Sequence, residues 1–156
     1  MIKLETKLPF KVIFSAVDIT DILSAETELG VALPDEFRNF LLAYNGIQFL
    51  ELPELRFWGS EEFSLLERIY GIAPQPMEGD IRAEQNSRFL RQWQVPSELV
   101  CFAEGPCSQF LFGACGEVLH WDSQTRPPEN IEEAKCCVDL FLETVAPSFE
   151  QFLKMI

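Results

Sequence analysis

The stretch "ETELGVALPDEFRNFLLAYNG", residues 26–46, constrains the fold more than any other part of the chain. Two helix-like runs meet at "GVALP" with only a few residues between them, and the second stops abruptly at "NG". Residues 16–29 read as a helix with Ile19, Ile22, Leu23 and Leu29 broadly to one side. Ser15 and Asp18 supply a loose capping signal, and Gly30 stands where a left-handed cap belongs. In the second helix Pro34 suits the first helical position, because its missing N–H has no intrahelical partner to lose. Asp35 and Glu36 complement the positive end of the helix dipole. Phe37, Phe40, Leu41 and Tyr44 follow the i, i+3, i+4, i+7 spacing of one buried face, and Asn45-Gly46 tolerates the left-handed ending.

Downstream, "ELRFW" at 54–58 predicts a short strand and Ser60 to about Tyr70 a helical turn. Residues 71–80, "GIAPQPMEGD", predict a loop. A helix follows from Asp80 to Trp93, capped by Asp80, with Ile81, Gln85, Phe89 and Trp93 spaced by four. The period then changes: "LVCFA", "QFLFGA" and "EVLHWD" are short apolar runs divided by glycine-containing breaks, the pattern of an antiparallel meander. Alternation over 136–143 predicts one more strand, and Ser148 caps a closing helix with Phe149, Phe152, Leu153 and Ile156 on its apolar face. Helices at both ends with strands gathered between them predict an α+β fold. Its central sheet is antiparallel or mixed, flanked by the N-terminal helical pair, a middle helix and a C-terminal helix, in one domain over 1–156.

Charge narrows the function. Twenty-five acidic residues against 12 basic ones give a formal net charge of -13. The local excess of Lys3, Lys7 and Lys11 over Glu5 is too small to make a phosphate-binding footprint, so neither nucleic acid nor an anionic membrane is expected as partner. The natural partner of such a surface is a basic one. The first residues lack a clean apolar leader segment, and no apolar run is long enough to span a bilayer. Five cysteines (Cys101, Cys107, Cys115, Cys136, Cys137) fit no disulfide framework, so reduced thiols in a cytoplasm are expected.

No catalytic constellation emerges. His120 is the lone histidine, and nothing in the sequence places a nucleophile beside it. The cysteines lack paired metal-ligand spacing: Cys136 and Cys137 are expected on opposite faces of a strand, Cys101 and Cys115 lie in apolar runs, and Cys107 is expected to be exposed. Neighbouring acids at Asp35-Glu36, Glu61-Glu62 and Glu132-Glu133 point about 100° apart on a helix and do not converge on one atom. The glycines of "EGPCS" and "GACG" match no phosphate loop. No cofactor or metal is implied. Glu61, Glu62, Glu104 and Asp122 are instead candidate contacts for a cationic partner, which makes this a binding protein with an unnamed ligand.

Leu29 to Gly46 closely resembles the SUKH superfamily pattern, LG-x-x-LP-x-x-[YF]-x-x-[FL]-L-x-x-[YF]-N-G. Further pieces resemble the family in the same order: "LRFWGSEEF", "LVCFAEG", "FGACGEVLHWD" and "SFEQFL", so the likeness runs from about residue 16 to the C-terminus. The loop after Ala103 departs from it, reading "EGPCSQ" where a glycine-rich turn followed by Asn is usual. The resemblance implies an α+β domain and one of two roles. Bacterial members look like immunity proteins that bind and neutralise a cognate toxin, frequently a basic nuclease. Fungal members look like regulators of cell-wall synthesis, usually longer than this chain. Leu33, Pro34, Phe37, Tyr44 and Gly46 match the motif as fold-makers, which leaves partner contacts to other exposed positions. An enzyme using Cys107 or His120 beside a second titratable group is the remaining class. Oligomeric state is open between monomer and weak dimer.

Overall fold

The computed structural model describes residues 3–85, 99–122 and 142–156. Helix α1 (Ile19–Leu29) opens on a capping box: the Asp18 carboxylate accepts from the backbone N–H of Thr20 and Asp21, and Asp21 accepts from the N–H of Asp18. Gly30 ends it at φ 73°. Helix α2 (Asp35–Tyr44) starts one residue after the expected position, with Pro34 as its cap.

The buried stripe of α1 is Ile22, Ala25 and Glu26, so Ile19 and Leu23, expected on the inner face, stand about half exposed. A stripe running i, i+3, i+4 from Ile22 turns Leu23 outward by about 100°. Glu26 belongs inside because it ties the pair together. Its carboxylate accepts from the N–H of Leu33 at 2.6 Å and from Arg38 Nε and Nη2 at 2.7 and 3.0 Å. A buried carboxylate is tolerated when charge and hydrogen bonds both answer it.

Asn45 holds φ 44°, and its side chain closes a three-way clamp. Its Nδ2 donates to the carbonyls of Ser15 and Ile72, and its Oδ1 accepts from the N–H of Ile72 at 2.8 Å. The next residue, Gly46 at φ 85°, lies so close to the chain at Gly71 that a Cβ would stand 2.8 Å from the Gly71 nitrogen.

From that point strands dominate. The main sheet comprises β1 (Phe10–Val12), β2 (Ile47–Phe49), β5 (Arg68–Ile69), β6 (Val100–Gly105), β7 (Ser108–Phe112), β8 (Val118–Asp122) and β9 (Leu142–Ala146) in that spatial order, and every pairing is antiparallel. A separate hairpin of β3 (Glu54–Arg56) and β4 (Phe63–Leu65) makes a second sheet. Residues 60–70 therefore form a turn and two strands, not a helical turn. The run Phe63-Ser64-Leu65-Leu66 alternates in burial as a strand does, while Gly59 at φ 70° opens the turn before it.

A short helix α3 (Ile81–Gln85) follows the 71–80 loop. Asp80, fully buried, accepts from the N–H of Ala73 and Arg82 and pairs with the Arg82 guanidinium, which reaches Glu28 on α1 at 2.8 Å. The expected apolar positions Phe89 and Trp93, the pair Glu132-Glu133, and the alternating segment from Cys136 to Phe141 lie outside the described residues. The closing helix α4 (Phe149–Leu153) is capped by Ser148 as expected.

One face of the sheet carries the aromatic core. Phe37 from α2 meets Phe112 and Phe149, each at 5.1 Å between ring centroids, and Phe102 at 5.7 Å. Phe102 stacks on Phe112 at 4.1 Å, and Phe152 closes over Phe102 and Phe110. The α+β architecture expected from the element order is the one that forms. Replacing Asn45→Ala should leave buried backbone groups unpaired and place alanine at a positive φ. A loss of about 3 kcal/mol in urea denaturation is expected; a loss below about 1 kcal/mol would show that the clamp is dispensable.

Candidate protein-interaction surface

The β3–β4 hairpin lies across the same sheet face as the aromatic core. Its inward residues are Leu55, fully buried, and Ser64, while Glu54, Arg56, Phe63 and Leu65 point outward. Four contacts latch it down. The ring of buried Phe57 lies 4.7 Å from the His120 imidazole, and the N–H of Trp58 donates to the Val145 carbonyl at 2.9 Å. The Ser64 and Ser108 hydroxyls share a hydrogen bond of 2.5 Å. The Leu65 carbonyl also occupies the space a Cβ on Gly105 would need. Val145 is the extra residue of a bulge in β9, which turns its carbonyl toward the hairpin.

His120 completes the latch. Its Nε2 lies 3.0 Å from Ser108 Oγ, and its ring sits between Phe57 and Phe110. Burial lowers the imidazole below its ordinary value, partly offset by the Asp122 carboxylate two residues along the strand. Ser108, His120 and Asp122 together have the composition of a hydrolytic trio. The serine is only 5% exposed and hydrogen-bonded beneath the hairpin, however, so it presents no nucleophile to an incoming carbonyl.

The four candidate acids separate. Glu61 and Glu62 are exposed in the hairpin turn, where the N–H of Glu62 is fixed by Ser60 Oγ. Asp122 ends β8, exposed and opposite Ser108 in register, on the hairpin's side of the sheet. Glu104 faces the other side, opposite Arg68 and Gln109. Its side chain is 24% exposed, accepts from the Tyr70 hydroxyl at 2.9 Å and lies 3.5 Å from Arg68 Nη1; burial raises its pKa. Glu61 and Glu62 thus stand in the hairpin turn and Asp122 on the sheet face that the hairpin covers, while Glu104 belongs to an internal polar cluster. Sequence reasoning missed Trp58 and Phe63, the two most exposed aromatic side chains of this surface. Their signal was present: Phe63 and Leu65 alternate with Ser64 and Leu66 immediately after an acidic turn.

The thiols split as well. Cys101 is buried as expected, and burial together with neighbouring carboxylates pushes its pKa upward. Cys107 is exposed, and so is Cys115, against the expectation of an apolar environment, because it sits in the turn between β7 and β8. Among the described residues no group of three His, Cys, Asp or Glu could hold a metal ion, and no helix is long and apolar enough to cross a membrane. A groove of about 940 Å³ between the N-terminal segment, α2 and α4 is lined by both signs of charge, with Lys154 paired to Glu150 at 2.7 Å.

A model of the SMI1 / KNR4 family (SUKH-1) matches residues 16–155. The chain belongs to that family. No curated protein matches it.

The latch has a pH signature. With its folded pKa lowered, His120 stays neutral where the unfolded chain takes up a proton. Its contribution is complete above about pH 6.5 and is lost as pH falls toward the lowered folded value. Glu104 acts with the opposite sign, since its raised pKa makes mild acid stabilising. Urea midpoints between pH 7.5 and 5.5 should therefore fall less for His120→Gln than for the wild type. Parallel curves would remove His120 from the account.

Proposed function

We propose that the protein is an immunity protein that neutralises a cognate bacterial toxin by forming a stoichiometric complex with it, the toxin domain being a basic, nuclease-type one. The carrying observation is exposed acidity on the hairpin side of the sheet: Glu61 and Glu62 in the hairpin turn and Asp122 at the end of β8, on a chain of net charge -13. A nuclease keeps a basic cleft for phosphates, and an acidic protein surface can occupy that cleft in their place. Membership in the SMI1 / KNR4 family supports binding rather than turnover, and the buried Ser108 is consistent with it. Glu104, turned inward on the opposite face, has a structural part in this reading.

The second reading is a regulatory scaffold for a signalling or cell-wall-synthesis complex, which the same family membership favours. Both place the protein in the cytoplasm, and both make it a partner of proteins.

The test is to express the reading frame adjacent to this one in its native genome, with and without this protein, and to follow growth and co-purification. Toxicity relieved by co-expression, with a one-to-one complex recovered, is the expected result. Toxicity without relief would overturn immunity and move weight to the scaffold. Within such a complex, Glu61→Lys with Glu62→Lys should slow association by roughly tenfold at low salt, with the difference shrinking as salt rises. An on-rate unchanged across the salt range would remove the electrostatic component.

A further inference from the structure

The outer face of the β3–β4 hairpin presents Phe63 and Leu65, and the turn that follows β3 adds Trp58. Trp58 is 64% exposed, Phe63 56% and Leu65 37%. Cross-strand register sets Phe63 opposite Arg56 and Leu65 opposite Glu54, with Arg56 and Glu54 paired to each other at 3.2 Å. Since that ion pair consumes the one cation of the hairpin's outer row, the uncompensated charge in the hairpin is negative: Glu61 and Glu62, exposed in the turn. Exposed aromatic side chains on a two-stranded ribbon are costly to leave in water unless something covers them.

The geometry points to this surface as the docking site for a basic protein, whose apolar pocket takes Trp58 and Phe63 and whose surrounding lysines or arginines meet Glu61 and Glu62. This rests on the protein-binding reading above and names the surface that carries it. Three observations favour this occupant. The hairpin is already fixed by the Ser64–Ser108 bond, the Phe57–His120 contact and the Trp58–Val145 bond, so binding orders little chain. Trp58 and Phe63 are both more than half exposed, and tryptophan is enriched among the few side chains that carry most of the energy of a protein contact. The acidic turn also repels nucleic acid and a second copy of this chain, and attracts a basic surface.

The experiment titrates the full chain against the polypeptide encoded by the adjacent reading frame, by calorimetry, for the wild type, Trp58→Ser, Phe63→Ser and Leu23→Ser. Leu23 on α1 is as exposed as these side chains but lies on a different element, which makes it the control for general loss of apolar surface. Each hairpin variant should weaken binding by about 30-fold while Leu23→Ser stays within about twofold. Because Phe63 points away from the sheet, Phe63→Ser keeps the test open if Trp58→Ser fails to fold. Unchanged affinity in a folded hairpin variant, with the wild type still binding, overturns the docking site and leaves the immunity reading intact. Equal losses in Leu23→Ser also overturn it. A wild type that does not bind overturns both. Sedimentation showing wild-type dimers that Trp58→Ser abolishes would assign this surface to a second copy and overturn the docking site as well.

Discussion

The side chain of Asn45 sits where three separated parts of the chain must meet: the segment before α1 at Ser15, the end of α2, and the loop after β5 at Ile72. A helix terminus leaves carbonyls and N–H groups without partners, and one amide that both donates and accepts can satisfy groups on two other segments at once. The left-handed backbone at Asn45 and Gly46 then turns the chain directly into β2, and the contact between Gly46 and Gly71 lets the two segments touch backbone to backbone. Once this junction is made, α2 lies over the sheet with Phe37 and Phe40 directed into it. The core from Phe102 to Phe152 can then assemble around Phe37. The N-G that ends the helix motif is therefore less a stop signal than the corner of the fold.

Much of this architecture was legible because local signals agreed with one another. Pro34, Asp35, the Phe37/Phe40/Leu41 face and Asn45-Gly46 all specify the same helix, and the three strands from Val100 to Asp122 are each a short apolar run set off by glycine-containing breaks. Errors arose where tertiary contact decides between local options. Residues 60–70 contain enough Glu and Leu to pass as helix, yet partners far along the chain hold them extended, with Ser64 bonded to Ser108 and Ile69 opposite Ala103. On the inner face of α1, hydrophobicity alone ranks Leu23 above Glu26. The pairing of Glu26 with Arg38 and the Leu33 N–H, invisible in sequence, reverses that ranking.

The candidate surface was half legible. Acidity and an exposed turn identify Glu61 and Glu62 in sequence, but distinguishing them from Glu104 requires knowing which sheet face each residue takes. Adjacent strand residues point oppositely, so a one-residue difference in register decides whether a carboxylate faces a partner or faces Arg68. The same rule explains Ser108. It is an unremarkable turn-side serine in the sequence, and pairing with Asp122 and the bond to His120 make it the hinge pin of the hairpin.

The division of β3 and β4 into a sheet of their own has a consequence for how such a protein changes over generations. Only every second residue of the hairpin touches the body of the molecule; the alternate ones face solvent and share no packing with the aromatic core. Substitutions at positions 54, 56, 63 and 65 can therefore accumulate almost free of folding constraint, while Leu55, Phe57 and Ser64 hold the frame still. A lineage pressed to match a shifting counterpart could rewrite that outer row repeatedly without re-solving the fold beneath it.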